Sequence, residues 1–295
     1  MKNSKKAVIY ILITYTVWGI QPLYWRLFTK IPLSYILAHR IIWAGFFMLL
    51  IVLLKGKQEI LINTIKDKKH LKLLIISSIA IAFNWLANIY AAYTKQIVEA
   101  SLGHYITPLV VILIGVFIFK EKVEIHKIIS FILIMIGVFL LSIKVGKLPT
   151  IAISLIISFS IYTYIKKINP IDALIEVTLE SLILSPFLII YLFYNLVING
   201  YNIFYTGNIT DIVLLISTGI FTFLPLLLYS YGVKNINFTN LGFIQYWAPS
   251  VSLCIGIFIF KETFSTIHLI SFSFIWVATL IVMLYPLLHN KYNRI

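Results

Sequence analysis

A carboxylate in the middle of an apolar run needs a partner or a purpose. Glu180 lies about eight residues into the run 172–197, roughly 12 Å along a helix at 1.5 Å per residue. Glu176 sits one turn earlier on the same face. His39 and Arg40 interrupt the run 34–54 in the same way. A charge at the centre of a bilayer costs roughly 2.5–3.5 kcal/mol on insertion scales, so each such residue invites a functional reading. Glu180, His39 and Arg40 are expected to line a central cavity, where Glu180 could bind substrate or exchange a proton. In the structural alternative, Arg40 reaches outward to lipid headgroups and Glu180 is held in an ion pair.

Uncharged candidates stand beside aromatic residues. Asn84, Trp85 and Asn88 fall in one run, with positions 84 and 88 on one helical face. Asparagine in hydrocarbon also serves to bond one helix to another. His104-Tyr105 and Gln245-Tyr246 are each followed by a proline three residues after the tyrosine, Pro108 and Pro249. A proline inside a span frees a carbonyl and can kink the helix. Both pairs are therefore candidate gates or site walls, and Pro225 adds a further candidate kink. Trp18 and Gln21 share a face of the first run. No catalytic or metal site assembles from this inventory. The ten acidic residues include no paired-aspartate motif, the six histidines are scattered, and Cys254 is alone. The expectation is a protein that is not an enzyme and holds no metal or cofactor. The alternatives are a lipid-modifying membrane enzyme and a non-transporting receptor.

The elements that position these residues follow from composition. Hydrophobic residues make up 61% of the 295 positions and charged residues 12%, against about half and a quarter in soluble domains. The apolar runs are continuous rather than alternating, which selects helices over a barrel. Ten spans are expected, at 7–25, 34–54, 71–93, 101–119, 125–143, 150–166, 172–197, 210–232, 239–260 and 265–287. The first follows Lys2–Lys6 and has no small-residue cleavage site after it, so it reads as a span rather than a signal peptide. The net charge of +14 does not point to nucleic acid, because the basic residues sit in the short gaps between runs. With the N-terminus inside, 17 lysines and arginines fall on the cytoplasmic side and 6 outside, leaving Arg40 within a span. That bias predicts both termini in the cytoplasm.

The chain repeats itself. A shift of 141 residues aligns Tyr105–Glu121 with Tyr246–Glu262, and ten of seventeen pairs are identical, including the proline, a mid-helix glycine and the closing Phe-Lys-Glu. Gly115 and Gly256 read as packing positions. Five spans separate the copies, so the second crosses the membrane in the opposite sense. The expected fold is an all-α membrane protein of ten helices in two inverted five-helix units, 1–147 and 148–295, an arrangement many secondary transporters share. The offset pairs Glu180 with His39.

Four segments carry a family resemblance. Ala38-His39-Arg40-Ile41-Ile42-Trp43, Asn84-Trp85, Glu99-Ala100-Ser101-Leu102-Gly103 with Pro108-Leu109, and Leu241-Gly242-Phe243-Ile244-Gln245-Tyr246 with Pro249 resemble the RarD proteins. These belong to the EamA-type group of the drug/metabolite transporter superfamily, and the resemblance spans essentially the whole chain. It implies two EamA units, a cell-membrane location and transport by alternating access. Relatives export amino acids and other metabolites. One departure stands at His104, where the family pattern has an aromatic residue. The function expected is therefore secondary-active transport, with export favoured, of small organic metabolites such as amino acids or drug-like compounds. A substrate or proton gradient would supply the energy. Whether the protein is a monomer or a homodimer is left open.

Overall fold

A computed structural model describes residues 2–28, 31–94, 96–143, 150–200, 208–261 and 266–292. Glu262 of the repeat, and Lys30, Lys95, Lys144, Lys147 and Arg294 of the charge count, lie outside the described residues. All regular structure among the described residues is helical. In chain order the helices are α1 (Lys2–Trp25), α2 (Leu33–Leu54), α3 (Gln58–Lys66), α4 (Lys68–Tyr93), α5 (Ile97–Phe117) and α6 (Ile125–Ile143). They continue with α7 (Thr150–Ile168), α8 (Ala173–Asn199), α9 (Ile209–Lys234), α10 (Phe238–Gln245), α11 (Trp247–Phe258) and α12 (Thr266–Tyr292). Each expected span falls on one of these helices, except that the ninth is broken into α10 and α11.

Nine segments among the described residues are long and apolar enough to cross a membrane, and Thr266–Val282 within α12 is a shorter apolar one. Large apolar side chains face outward all around the bundle, among them Phe46, Leu54, Phe117, Phe139, Phe187 and Ile190. A surface this apolar requires lipid rather than water. The chain is a multi-pass membrane protein. α3, in the gap 55–70, is a short amphipathic helix that the sequence reading did not foresee. Leu61 on α3 is buried while Ile60, Ile62 and Ile65 are exposed.

Helix ends follow local chemistry. Asp172 caps α8 by accepting from Leu174 N at 2.9 Å, and Asn208 caps α9 by accepting from Asp211 N at 2.9 Å. Gly200 closes α8 with a φ of 62°. The repeat extends to the backbone. Ile118 N and Phe119 N both donate to Ile114 O, at 2.9 and 3.2 Å, and their equivalents Ile259 N and Phe260 N donate to Ile255 O, at 2.9 and 3.0 Å. The next residues, Lys120 and Lys261, both take positive φ, 51° and 57°. That conformation is uncommon for a residue with a side chain, so the two units leave their helices by the same turn.

The two inverted units interlock rather than sit side by side. α1 packs on α9 and α11, and the equivalent helix α7 packs on α4 and α5. The pairs α2–α8, α5–α10 and α6–α12 each join a helix to its own counterpart. One buried cluster draws Ile11, Met48, Leu74, Tyr162, Ile175, Tyr229 and Phe238 from both units.

Candidate functional site

A cavity of about 810 Å³ lies between the units. It runs from Tyr15, Phe159 and Leu226 at mid-molecule to Trp25, Leu33 and Ile257 at the ends of α1, α2 and α11. Those ends lie opposite the end where Lys166, Lys167 and Lys234 cluster. Of the candidates read from the sequence, Trp18, Gln21, Arg40, Asn84, Trp85, Asn88, His104, Tyr105, Gln245 and Pro249 line it. His39, Glu180, Tyr246, Pro108 and Pro225 do not.

The walls are built from short polar chains. Asn84 Nδ2 donates to Leu155 O at 3.2 Å and to Ser158 Oγ at 3.0 Å, so this residue does tie α4 to α7. Asn88 Nδ2 donates to Asn84 O at 2.9 Å, and Asn88 Oδ1 lies 2.9 Å from His104 Nε2. Tyr246 is buried, and its hydroxyl donates to the carbonyl of its own repeat equivalent, Tyr105, at 2.9 Å. α5 and α9 continue through Pro108 and Pro225, while α10 and α11 part at Tyr246, three residues before Pro249. Pro249 has no N–H to give the Gln245 carbonyl, but Pro108 stands in the same relation to the His104 carbonyl and leaves α5 unbroken, so the missing donor alone does not separate the two helices. Trp18 packs edge-on against Tyr15 and Phe159, with ring centroids 5.5 and 6.1 Å apart.

Arg40 does not reach outward to headgroups. Its Nε donates to Thr222 Oγ1 at 3.1 Å, and its guanidinium lies 4.7 Å from the Trp85 ring centre and 5.2 Å from that of Trp25. These contacts turn it into the molecule.

Glu180 sits elsewhere. It is part of a buried ionic plug below the cavity floor, so the expectation that Glu180, His39 and Arg40 share one cavity is corrected. Lys166, which is 0% exposed, donates to Glu180 Oε2 at 2.7 Å and lies 3.5 Å from Glu176. Lys234 Nζ approaches Glu176 to 2.7 Å. Ser77 donates to Glu180 and Ser230 to Glu176, each at 2.5 Å, and Asn169 Nδ2 donates to Glu176 Oε1 at 3.0 Å. The plug thus knits α4, α7, α8 and α9 together at the lysine-rich end. Tyr162 and Tyr229, with ring centroids 6.2 Å apart, lie between it and the cavity floor. At the same end, Glu121 receives Phe238 N at 2.6 Å and Thr239 N at 2.8 Å, capping α10 across the two units. His39 is buried beside Tyr35, ring centroids 6.2 Å apart. Sequence reasoning missed Lys166 and Lys234, which it counted as loop charges. Among the described residues no group of three or more His, Cys, Asp or Glu could hold a metal.

Comparison with known proteins accords with this architecture. Residues 5–143 and 148–284 each match the EamA-like transporter family. The chain is 34% identical to the uncharacterized transporter YojE of Bacillus subtilis over 95% of its length and 94% of that protein. It is 31% identical to protein RarD of Escherichia coli over 96% and 95%, respectively. A solved crystal structure superposes with a TM-score of 0.70 at 15% identity, covering 95% of this chain and 98% of the other, so it shares the fold. With both units matched and RarD relatives aligned along nearly the full length, the chain belongs to the EamA-like transporter family, within the drug/metabolite transporter superfamily.

Proposed function

We propose that this membrane transporter is a secondary-active carrier of small organic solutes, of amino-acid or drug-like size, working by alternating access. The observation that carries the reading is one cavity between two inverted units, reaching one end of the molecule and sealed from the other. The seal has two layers, the Tyr162–Tyr229 stack and the Lys166–Glu180–Glu176–Lys234 plug. Inverted units make the opposite arrangement accessible by rocking. A cavity of this volume suits a ligand of metabolite size.

The charge bias supports a cell-membrane orientation with both termini cytoplasmic, which makes the state described outward-facing. Export rests on the resemblance alone. Protons are the coupling ion we assign, because Glu180 would lose its Lys166 partner whenever the plug opens and would then be free to exchange a proton with the solution there.

Counterflow in proteoliposomes, with a panel of metabolites loaded inside, tests the reading. Saturable accumulation is expected, and Gln245→Trp, which fills the cavity, is expected to abolish it. Full flux through the filled variant would remove the cavity as the route. Product formation without flux would replace transport with catalysis.

A further inference from the structure

Every other deeply placed cation among the described residues has its charge answered. Lys166 and Lys234 meet Glu176 and Glu180, and Lys167 donates to the carbonyls of Val233 and Ile236 at 3.1 and 2.5 Å. Arg40 does not fit that pattern. Among the described residues no carboxylate lies within 4 Å of it, and its only hydrogen bond there is through Nε to Thr222. Its two terminal nitrogens have no protein partner among those residues. The described residues lining the cavity include no Asp, Glu or Lys, so Arg40 is their one fixed charge.

We infer that the cavity binds an organic carboxylate, with Arg40 as its counter-ion and the aromatic walls as the seat of an apolar body. This rests on the proposed transport function and narrows its substrate class. A guanidinium offers two parallel N–H donors that match the two oxygens of a carboxylate, which an ammonium cannot do. Thr222 and the flanking rings of Trp25 and Trp85 hold the fork in place, so little ordering is left for binding. Beyond it, Trp18, Phe159 and Leu226 supply an apolar floor. Among the described residues Gln245 Oε1 is buried without a hydrogen-bond partner and Gln21 Nε2 likewise, and both residues line the cavity. An amide at each position can answer a hydroxyl or carbonyl on the ligand.

The same inventory fixes what is disfavoured. With no acidic residue in the described lining, an ammonium group has no ionic partner and faces Arg40 instead. A carboxylate without an amine should bind better than an amino acid, and a cationic drug worst.

Full-length protein in nanodiscs, titrated calorimetrically, tests this with three near-isosteric probes: 3-phenylpropionate, 3-phenylpropionamide and 3-phenylpropylamine. Phenylalanine serves as the zwitterion. The carboxylate is expected to bind roughly tenfold more tightly than the amide, the amine least, as the loss of a charge-assisted pair implies. Arg40→Gln is expected to erase that preference, and saturable amide binding retained by the variant reports that the cavity is intact. Equal binding of carboxylate and amide, a preference retained in Arg40→Gln, or no saturable carboxylate binding at millimolar concentration each overturns the inference. Counterflow of the same probes separates this from transport. Charge-selective binding without flux sinks the transport reading and keeps the site. Flux of the amide or amine at the carboxylate's rate, unchanged by Arg40→Gln, does the reverse.

Discussion

What Glu180 does is decided by Lys166, fourteen positions earlier. The two meet because α7 and α8 are joined by the short turn at Asn169-Pro170, which returns the chain antiparallel and places Lys166 under Glu180. Removing one partner of a buried ion pair leaves an uncompensated charge and costs about 3–5 kcal/mol, whereas replacing both with apolar residues is often neutral or better. Lys166→Met alone is therefore expected to lower thermal stability sharply in detergent, and Lys166→Met with Glu180→Met to recover most of the loss. Equal instability of the single and double variants would show that the pair is not coupled. Glu180→Gln keeps the side chain's shape and an acceptor for Ser77, and Lys166 keeps Glu176 at 3.5 Å, so its charge is not left unanswered and the variant should insert and fold. It is expected to abolish the pH dependence of flux in proteoliposomes, and unchanged pH-dependent flux would exclude Glu180 from coupling. The sequence exposed Glu180 because a carboxylate stands out in an apolar run. It concealed Lys166 because a lysine at the end of a run looks like any loop charge. Arg40 was visible for the same reason as Glu180, but its inward direction was set by Thr222, 182 positions away.

Among the elements, the clearest contrast is between two helices that share a sequence pattern. α5 continues through Pro108, while its counterpart breaks into α10 and α11. The matched Phe-Lys-Glu endings foretold matched turns, and Lys120 and Lys261 take them. They could not foretell that Glu121 would cap α10, because the contact crosses 117 positions and depends on how the units dock. That contact also explains Gly115. A Cβ there would lie 2.8 Å from Thr239 N and 3.0 Å from Glu121 Oε2, closer than side-chain atoms tolerate. Glu121→Ala leaves two helix N–H groups without a charged acceptor and is expected to cost about 1–3 kcal/mol. Gly115→Ala should do comparable damage by prying α5 from α10. Thermal unfolding of the two variants and their combination checks this. If they act on one contact, their effects will fall short of additive.

Across the whole molecule, the 141-residue offset does more than count helices. Applied to the cavity walls, it carries Trp18 to Phe159, Gln21 to Tyr162, Trp25 to Lys166, Arg40 to Ser181, Trp85 to Leu226 and Asn88 to Tyr229. Most of these second residues now form the floor and the plug. If the units exchange roles, they become the walls of a cavity open at the lysine-rich end, and Lys166 turns from lock into lining. The duplication was legible from sequence, but the direction in which it is now tipped was not, since both states use one sequence and differ only in which interlocked contacts are made. Breaking the plug should tip it the other way. In a Cys254→Ser background, Ser252→Cys on the present cavity wall is expected to react readily with a membrane-impermeant thiol reagent added from the cavity side, and Ser181→Cys, buried against α2, slowly. Adding Lys166→Met should slow labelling at 252 and hasten it at 181 from the lysine-rich side. A reciprocal change is what two mutually exclusive states require. Faster labelling at both positions would mean that the substitution only loosens the bundle, and the two-state reading would fail.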